Sequence, residues 1–384
     1  MEYLKKLLFI GFLLFILYHS WPFLLNGLDN TKLNGAMESI QSTIDQVKED
    51  PEVSKAINAM AIEMNRLVRK LDGSLEELPQ SESNLENLKQ AEKPELEAPA
   101  THVFSIYNIE LGDSKKAVEE KLGTAKRSTT NEYGVEWYTY HEDYRQFIMV
   151  AYDQKNTVSG LYTNQDLISS INGLQRGSSK ESVLDLLGEP LDQIQKGLTF
   201  YQFQEEQDHD LFLINDSYIT IFYDKHENNT VTSIQIIGKD LEQSKPDLYP
   251  EVTQELIEGF EYQLFDLTNA TRVNHDLPTL TWDDHVRETA RKHSKDMADH
   301  NYFNHTNLEG ESPFDRMLAD DIRFSVAGEN LAYGQLNSIY AHEGLMNSIG
   351  HRENILKPDY QSLGVGVAFN SDSHPYFTEN FFTD

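Results

Sequence analysis

The segment Leu111-Gly112-Asp113-Ser114-Lys115-Lys116-Ala117-Val118, closed by Leu122-Gly123, recurs 65 positions later. The second copy is Arg176-Gly177-Ser178-Ser179-Lys180-Glu181-Ser182-Val183, closed by Leu187-Gly188 and Pro190. In each copy a short oxygen-bearing side chain, Asp113 or Ser114 in the first and Ser178 or Ser179 in the second, stands where a helix begins, able to accept the free amide hydrogens of the first turn. Val118 with Leu122, and Val183 with Leu187, form an apolar stripe, and Gly123 or Gly188 ends it. Strand-forming runs follow. In the first copy they are Glu136–Tyr140, Phe147–Tyr152 and Thr157–Tyr162; in the second, Thr199–Phe203, Tyr218–Tyr223 and Thr230–Ile237. Each copy is therefore expected to be a helix and a three-stranded meander, over about 103–165 and 168–238. The two should share one core within 101–240. Trp137, Tyr138, Tyr140, Tyr201 and Phe203 are read as sheet-face packing rather than a ligand platform.

A chain of 384 residues exceeds one ordinary core, so further domains are expected. Its net charge of −31 argues against a nucleic-acid phosphate backbone as partner. There is no cysteine, which excludes disulfides, thiolate metal sites and cysteine nucleophiles. Lys5-Lys6 precede an apolar run from Leu7 to Leu25, with Tyr18 and Trp21 placed as interfacial aromatics. Two readings compete here. A cleaved signal peptide wants small residues in an A-x-A pattern, and none follows. An uncleaved transmembrane signal anchor needs about 20 apolar residues, and the run reaches that. The anchor, over 1–27, is the expectation, with the bulk of the chain facing outward. Residues 28–77 have helical periodicity, broken at Pro51, and are expected to form an amphipathic stalk. Residues 78–100 have linker composition.

The last segment, 251–384, reads as a separate module. Leu256, Phe260, Leu264 and Leu267 make one helical face; Val286, Ala290, His293 and Met297 make a second. Further helices are expected around Pro313–Leu318 and Ile339–Ser348, and strands at Gly364–Phe369 and Tyr376–Phe382. Four short motifs run through it: Asn304-His305-Thr306, Gly328-Glu329-Asn330-Leu331, Gly350-His351-Arg352-Glu353-Asn354 and Gly364-Val365-Gly366-Val367. Their flanking Gly, Asn and Thr suit turn-like or helix-edge positions. In this order the motifs resemble the CAP superfamily of cysteine-rich secretory, antigen 5 and pathogenesis-related proteins, in its bacterial form. The repeated segment before it resembles small SmpA/OmlA-type envelope modules. As a pair ahead of a CAP module, it resembles the CAP-associated N-terminal domain of Bacillus-type proteins. The fold class expected is α+β: a C-terminal α-β-α sandwich preceded by the tandem helix-and-meander domain, the anchor and the stalk.

The resemblance implies a cleft of two histidines and two glutamates. By motif His305 and His351 match the histidines, and Glu329 the first glutamate. The second has no clear match: Leu345 stands where the family places a Trp and Ser348 stands near the glutamate position; Glu343 is close in sequence, in another helical phase, and is carried over as the fourth cleft residue. His305, Glu329 and His351 are suitable ligands for Zn²⁺ or another divalent cation. They would equally serve to tie loops to helices by hydrogen bonds. His293 is read as a core histidine; His342, next to Glu343, could face the cleft, though no pattern fixes that. Ser348 and Ser362 are weak nucleophile candidates. Neither a Gly-x-Ser-x-Gly elbow nor a His-Glu-x-x-His is present. The functions in play are an envelope binding module for a peptide, lipid or wall component, and a metal-dependent peptidase at the same cleft. A third makes the tandem domain a docking module.

Overall fold

The structure, a computed structural model, describes residues 94–203 and 208–384. The anchor, the stalk and most of the linker read from the sequence lie outside the described residues. Among the described residues no helix is long and apolar enough to cross a membrane. The first segment holds β1 (Phe104–Ile106), α1 (Lys115–Leu122), β2 (Arg127–Thr130), β3 (Glu136–Glu142), β4 (Arg145–Tyr152), β5 (Val158–Thr163) and β6 (Ile168–Ser170). The second holds α2 (Lys180–Leu187), β7 (Gln193–Lys196), β8 (Thr199–Gln202), β9 (His209–Ile214), β10 (Ser217–Asp224) and β11 (Thr230–Gly238). Ser114 accepts the amide of Ala117, and Ser179 that of Ser182, so both helices start at the expected caps.

One antiparallel sheet, in the order β2-β3-β4-β5-β11-β10-β9, joins the two segments edge to edge through β5 and β11. The second meander differs from the sequence expectation. It is β9-β10-β11, whereas β8, expected as its first strand, pairs with β7 in a separate hairpin. The reason is an insertion. Ser114 bridges Thr157 and Ser179 bridges Thr230, so the caps lie 65 apart and their strand partners 73 apart. The extra residues fall between helix and meander, where the hairpin sits, and a period-two pattern does not say which run joins the sheet.

The sheet is covered on both faces. Ile148, Val150 and Leu161 pack with Val118 and Val183 of the two helices. Trp137, Phe147, Met149, Ala151 and Tyr162 turn the other way, onto residues of the C-terminal module. That double burial explains why Phe147–Tyr152 is a continuous apolar run and not an alternating one.

After α3 (Lys239–Ser244) the C-terminal module begins. It comprises α4 (Gln254–Asn274), β12 (Thr281–Trp282), α5 (Asp284–His300), α6 (Pro313–Ala319), β13 (Val326–Tyr333), α7 (Ser338–Met346), α8 (Ile349–Ile355), β14 (Ser362–Phe369) and β15 (Pro375–Thr383). Its sheet runs β12-β14-β15-β13, antiparallel except for the β12–β14 pair. Leu363, Val365 and Val367 face α4, α7 and α8 with Phe377 and Phe381. Gly364 and Gly366 face α5. A Cβ there would lie 2.3 Å from the Arg287 nitrogen and 2.1 Å from that of Arg291, so the helix backbone rests directly on the strand.

The two modules meet along α4 and α7. Leu267, Ala270 and Ile339 supply the apolar contact. Gln263 Nε2 donates to the Thr130 carbonyl at 2.9 Å, and the fully buried Asp266 accepts from Arg127 at 3.1 Å and Tyr144 at 2.9 Å. A Cβ on Gly259 would stand 2.1 Å from the Thr130 oxygen, so close approach of α4 to β2 requires glycine there.

Candidate functional site

His305 lies in the loop after α5, half exposed, and its Nδ1 donates to Glu329 Oε1 at 2.8 Å. Glu329 sits within β13, not in the turn that Gly328 and Asn330 had indicated. Its side chain is buried, and Oε2 accepts from Arg316 at 2.6 Å. Arg316 is the site residue that the sequence reading missed. It projects from α6, a short helix started by Pro313 and by a reciprocal cap between Ser312 and Asp315. Its other terminal nitrogen donates to the carbonyls of His305 at 2.7 Å and Glu311 at 3.1 Å. One guanidinium thus fixes both the buried carboxylate and the backbone of the histidine that binds it. His293, buried on α5 as expected of a core histidine, donates from Nε2 to the Asn304 carbonyl and holds the same loop.

His351 is carried by α8, and two asparagines latch that helix to β13. Asn330 donates to the His351 carbonyl at 3.2 Å, and Asn354 donates to the Glu329 carbonyl at 3.2 Å. Asn354 also donates to Asn330 Oδ1 at 3.0 Å. Gly328 leaves room for Tyr360, whose hydroxyl would be 2.1 Å from a Cβ at that position. The flanking Gly and Asn of the motifs therefore serve the latch. The ring of His351 meets Ser348 Oγ through Nδ1 at 2.8 Å. Burial, and then the nearby charge of His305, hold its pKa below the ordinary histidine value. The two imidazoles thus share one electrostatic neighbourhood. Each has its Nδ1 anchored, and neither Nε2 has a hydrogen bond to the described residues.

Glu343, carried as the fourth cleft residue, faces elsewhere. It is buried against the N-terminal module, where Oε1 accepts from Tyr162 at 2.8 Å and Ser233 at 2.7 Å. The physical reason is helical phase: on α7 it turns toward the β5–β11 region. Ser348, and not a second glutamate, contacts His351. His342, also on α7, is buried with Nε2 at 2.6 Å from Thr271 Oγ1.

His305, Glu329 and His351 do not make a three-ligand metal cage. Both oxygens of Glu329 are engaged, by His305 and by Arg316. Among the described residues no group of three or more His, Cys, Asp or Glu is arranged to hold an ion. The donor set is instead two imidazoles, one oriented by a carboxylate and one by a hydroxyl, as second-sphere groups orient histidine ligands elsewhere.

Comparison with known proteins places these modules. Residues 265–381 match the cysteine-rich secretory protein family, and residues 111–247 match the CAP-associated N-terminal family. The chain is 27% identical over 318 residues to "Uncharacterized membrane protein YlbC" of Bacillus subtilis, covering 78% of this chain and 89% of that one. It is 38% identical over 125 residues to "Uncharacterized protein YkwD" of the same organism, of which it spans 48%. An extracellular protein containing an SCP domain from Bacillus anthracis superposes with a TM-score of 0.62 at 26% identity, over 76% of this chain and 99% of that one. A cysteine-rich secretory protein from Staphylococcus aureus shares the fold at 15% identity and a TM-score of 0.59, over 75% and 95% of the two chains. With the histidine motifs on α8 and after α5, and the tandem sheet packed on α4 and α7, the chain carries a CAP domain over 265–381 behind a CAP-associated N-terminal domain over 111–247, and is similar along most of its length to a Bacillus protein.

Proposed function

We propose that the chain is a membrane-tethered, extracytoplasmic binding protein that presents its histidine cleft to a peptide, lipid or wall component. The observation that carries the binding reading is the double engagement of Glu329. Hydrolysis assisted by a metal needs ligands and, besides them, a base that can take a proton from water. Glu329 spends one oxygen on orienting His305 and the other on Arg316. A divalent cation such as Zn²⁺ would be held by Nε2 of His305 and of His351, where it would polarise an oxygen of the bound ligand. Glu329 and Ser348 would orient the two rings. Incubated with a mixed peptide library and Zn²⁺, the full-length protein is expected to leave the library intact. Peptide turnover that disappears in Glu329→Gln would overturn the binding reading in favour of the peptidase.

The tether rests on Lys5-Lys6 and the apolar run to Leu25. It is supported by the word "membrane" in the name of the Bacillus subtilis relative and "extracellular" in that of the Bacillus anthracis one. External protease applied to intact cells should digest the CAP domain. Protection of the domain, or a mature form free in the medium without its first 25 residues, would contradict the tether. We also read 103–165 and 168–238 as two copies of one unit, a reading supported by their matched caps and bridges.

A further inference from the structure

A polar cavity of about 220 Å³ lies between the two modules, apart from the histidine cleft. Asn164 and Arg176 of the N-terminal module line it, as do Thr271 of α4 and His342 and Glu343 of α7. Asn164 Nδ2 donates to Thr271 Oγ1 at 3.1 Å, which directs the threonine hydroxyl proton to His342 Nε2, 2.6 Å away. The neutral ring then carries its own proton on Nδ1. Burial favours that neutral form, lowering the pKa of His342 to about 3.

This chain of hydrogen bonds ends in two orphans. His342 Nδ1 and Asn164 Oδ1 are buried with no partner, one a donor and the other an acceptor. Their residues are 1% and 3% exposed, so bulk water does not satisfy them. Two charged groups accompany them. Glu343 takes both its hydrogen bonds on Oε1; Arg176 acts on it through space, and no ion-pair contact with a described residue closes the other oxygen. Arg176 bonds only through Nε, to the Thr232 carbonyl at 3.4 Å, which leaves its terminal nitrogens without a carboxylate among the described residues. Arg176 and the His342 N–H thus share one small space with Glu343 and the Asn164 amide oxygen; Glu227 and His275 also line it, as does the Arg352–Asp224 pair, closed at 2.8 Å.

We propose that this cavity binds a small zwitterion, an α-amino acid, with its carboxylate on Arg176 and His342 Nδ1 and its ammonium on Glu343 and Asn164. Such a ligand offers a hydrogen-bonding group to both orphans and to both Arg176 and Glu343 at once, whereas a simple anion or cation reaches half of them. Since both modules contribute, occupancy would fasten one to the other and raise the stability of the folded pair.

The test is calorimetric titration and thermal unfolding of the full-length protein with glycine, L-alanine and D-alanine. Acetate and methylamine, each bearing one of the two groups, are the controls. At least one amino acid is expected to bind saturably and raise the melting temperature, with each control weaker by about tenfold or more, the loss expected for one charged hydrogen-bonded group. Arg176→Met, at the half-buried wall, should weaken amino-acid binding by a similar factor, and the residual thermal shift on adding amino acid should shrink with it. His305→Ala with His351→Ala should leave the binding unchanged. Failure of every amino acid to bind would mean that the cavity holds water only. Equal affinity in Arg176→Met, or loss of binding on removing the two cleft histidines, would also overturn the proposal.

Discussion

Arg316→Met is expected to destabilise the CAP domain by about 3–5 kcal/mol, the range found when one partner of a buried ion pair is removed. The side chains of Arg316 and Glu329 are 8% and 1% exposed, so solvent screens the pair little. Truncation would leave the buried Glu329 carboxylate with His305 as its remaining hydrogen-bond partner. It would also free the carbonyls of His305 and Glu311. Methionine keeps much of the apolar stem, so the loss reports on the charge and its hydrogen bonds. Glu329→Gln should be costly for the mirrored reason, an unpaired buried guanidinium. The double variant should be less destabilised than the two single effects added, because the pair acts as a unit. Denaturant unfolding of the four proteins measures this. A loss under about 1 kcal/mol for Arg316→Met would place the pair in the class of screened surface bridges.

Glu343→Gln is expected to stabilise the protein at neutral to alkaline pH and to have little effect in acid. Burial raises the Glu343 pKa from 4.5 to about 7, against hydrogen bonds from Ser233 and Tyr162 that lower it. A carboxyl raised on folding holds its proton in the native state after the unfolded chain has released it. Its contribution is therefore most favourable below pH 4.5, is lost progressively up to about pH 7, and stays lost above. A shift of that size corresponds to roughly 3 kcal/mol at the alkaline end. Glutamine keeps an oxygen for Tyr162 and Ser233 and removes the ionisation. Glu379, also raised by burial to about 7, adds to the wild-type slope in the same direction, so the difference between the two proteins isolates Glu343. Denaturant unfolding across this pH range checks it. An equal stability difference at both ends would show that ionisation of Glu343 is not the cause.

Local chemistry was legible in the sequence, and partnerships between distant elements were not. Ser114 and Ser179 announced helix starts because a cap acts within three residues. The run Phe147–Tyr152 announced a strand, and its unbroken apolarity carried a further message, that both faces are covered. Which helices cover the second face was not readable. Glu329 looked like a turn residue because Gly328 and Asn330 flank it. Those neighbours serve packing against Tyr360 and the latch to α8, which only the folded contact reveals. Arg316 carried one usable signal, the Ser312-Pro313 start of a helix close behind His305, but no pattern names the carboxylate it would meet. Glu343 was near the right place along the chain, and the phase of α7 turned it to the other module. The hairpin β7–β8 displaced the second meander because an insertion between repeats leaves the strand pattern intact while changing which strand pairs.

The central claim is that His305 and His351 together form the cation-capable part of the CAP cleft, with Glu329 orienting His305 and not serving as a third ligand. Zn²⁺ titration by calorimetry, on the full-length protein and two variants, addresses it most directly. The wild type should take up Zn²⁺, His305→Ala with His351→Ala should not, and Ser348→Ala should bind more weakly through loss of the hydrogen bond to His351. Uptake should also fall in acid, where protons compete for the imidazoles. Undiminished Zn²⁺ uptake by the double histidine variant would place the cation elsewhere and contradict the account.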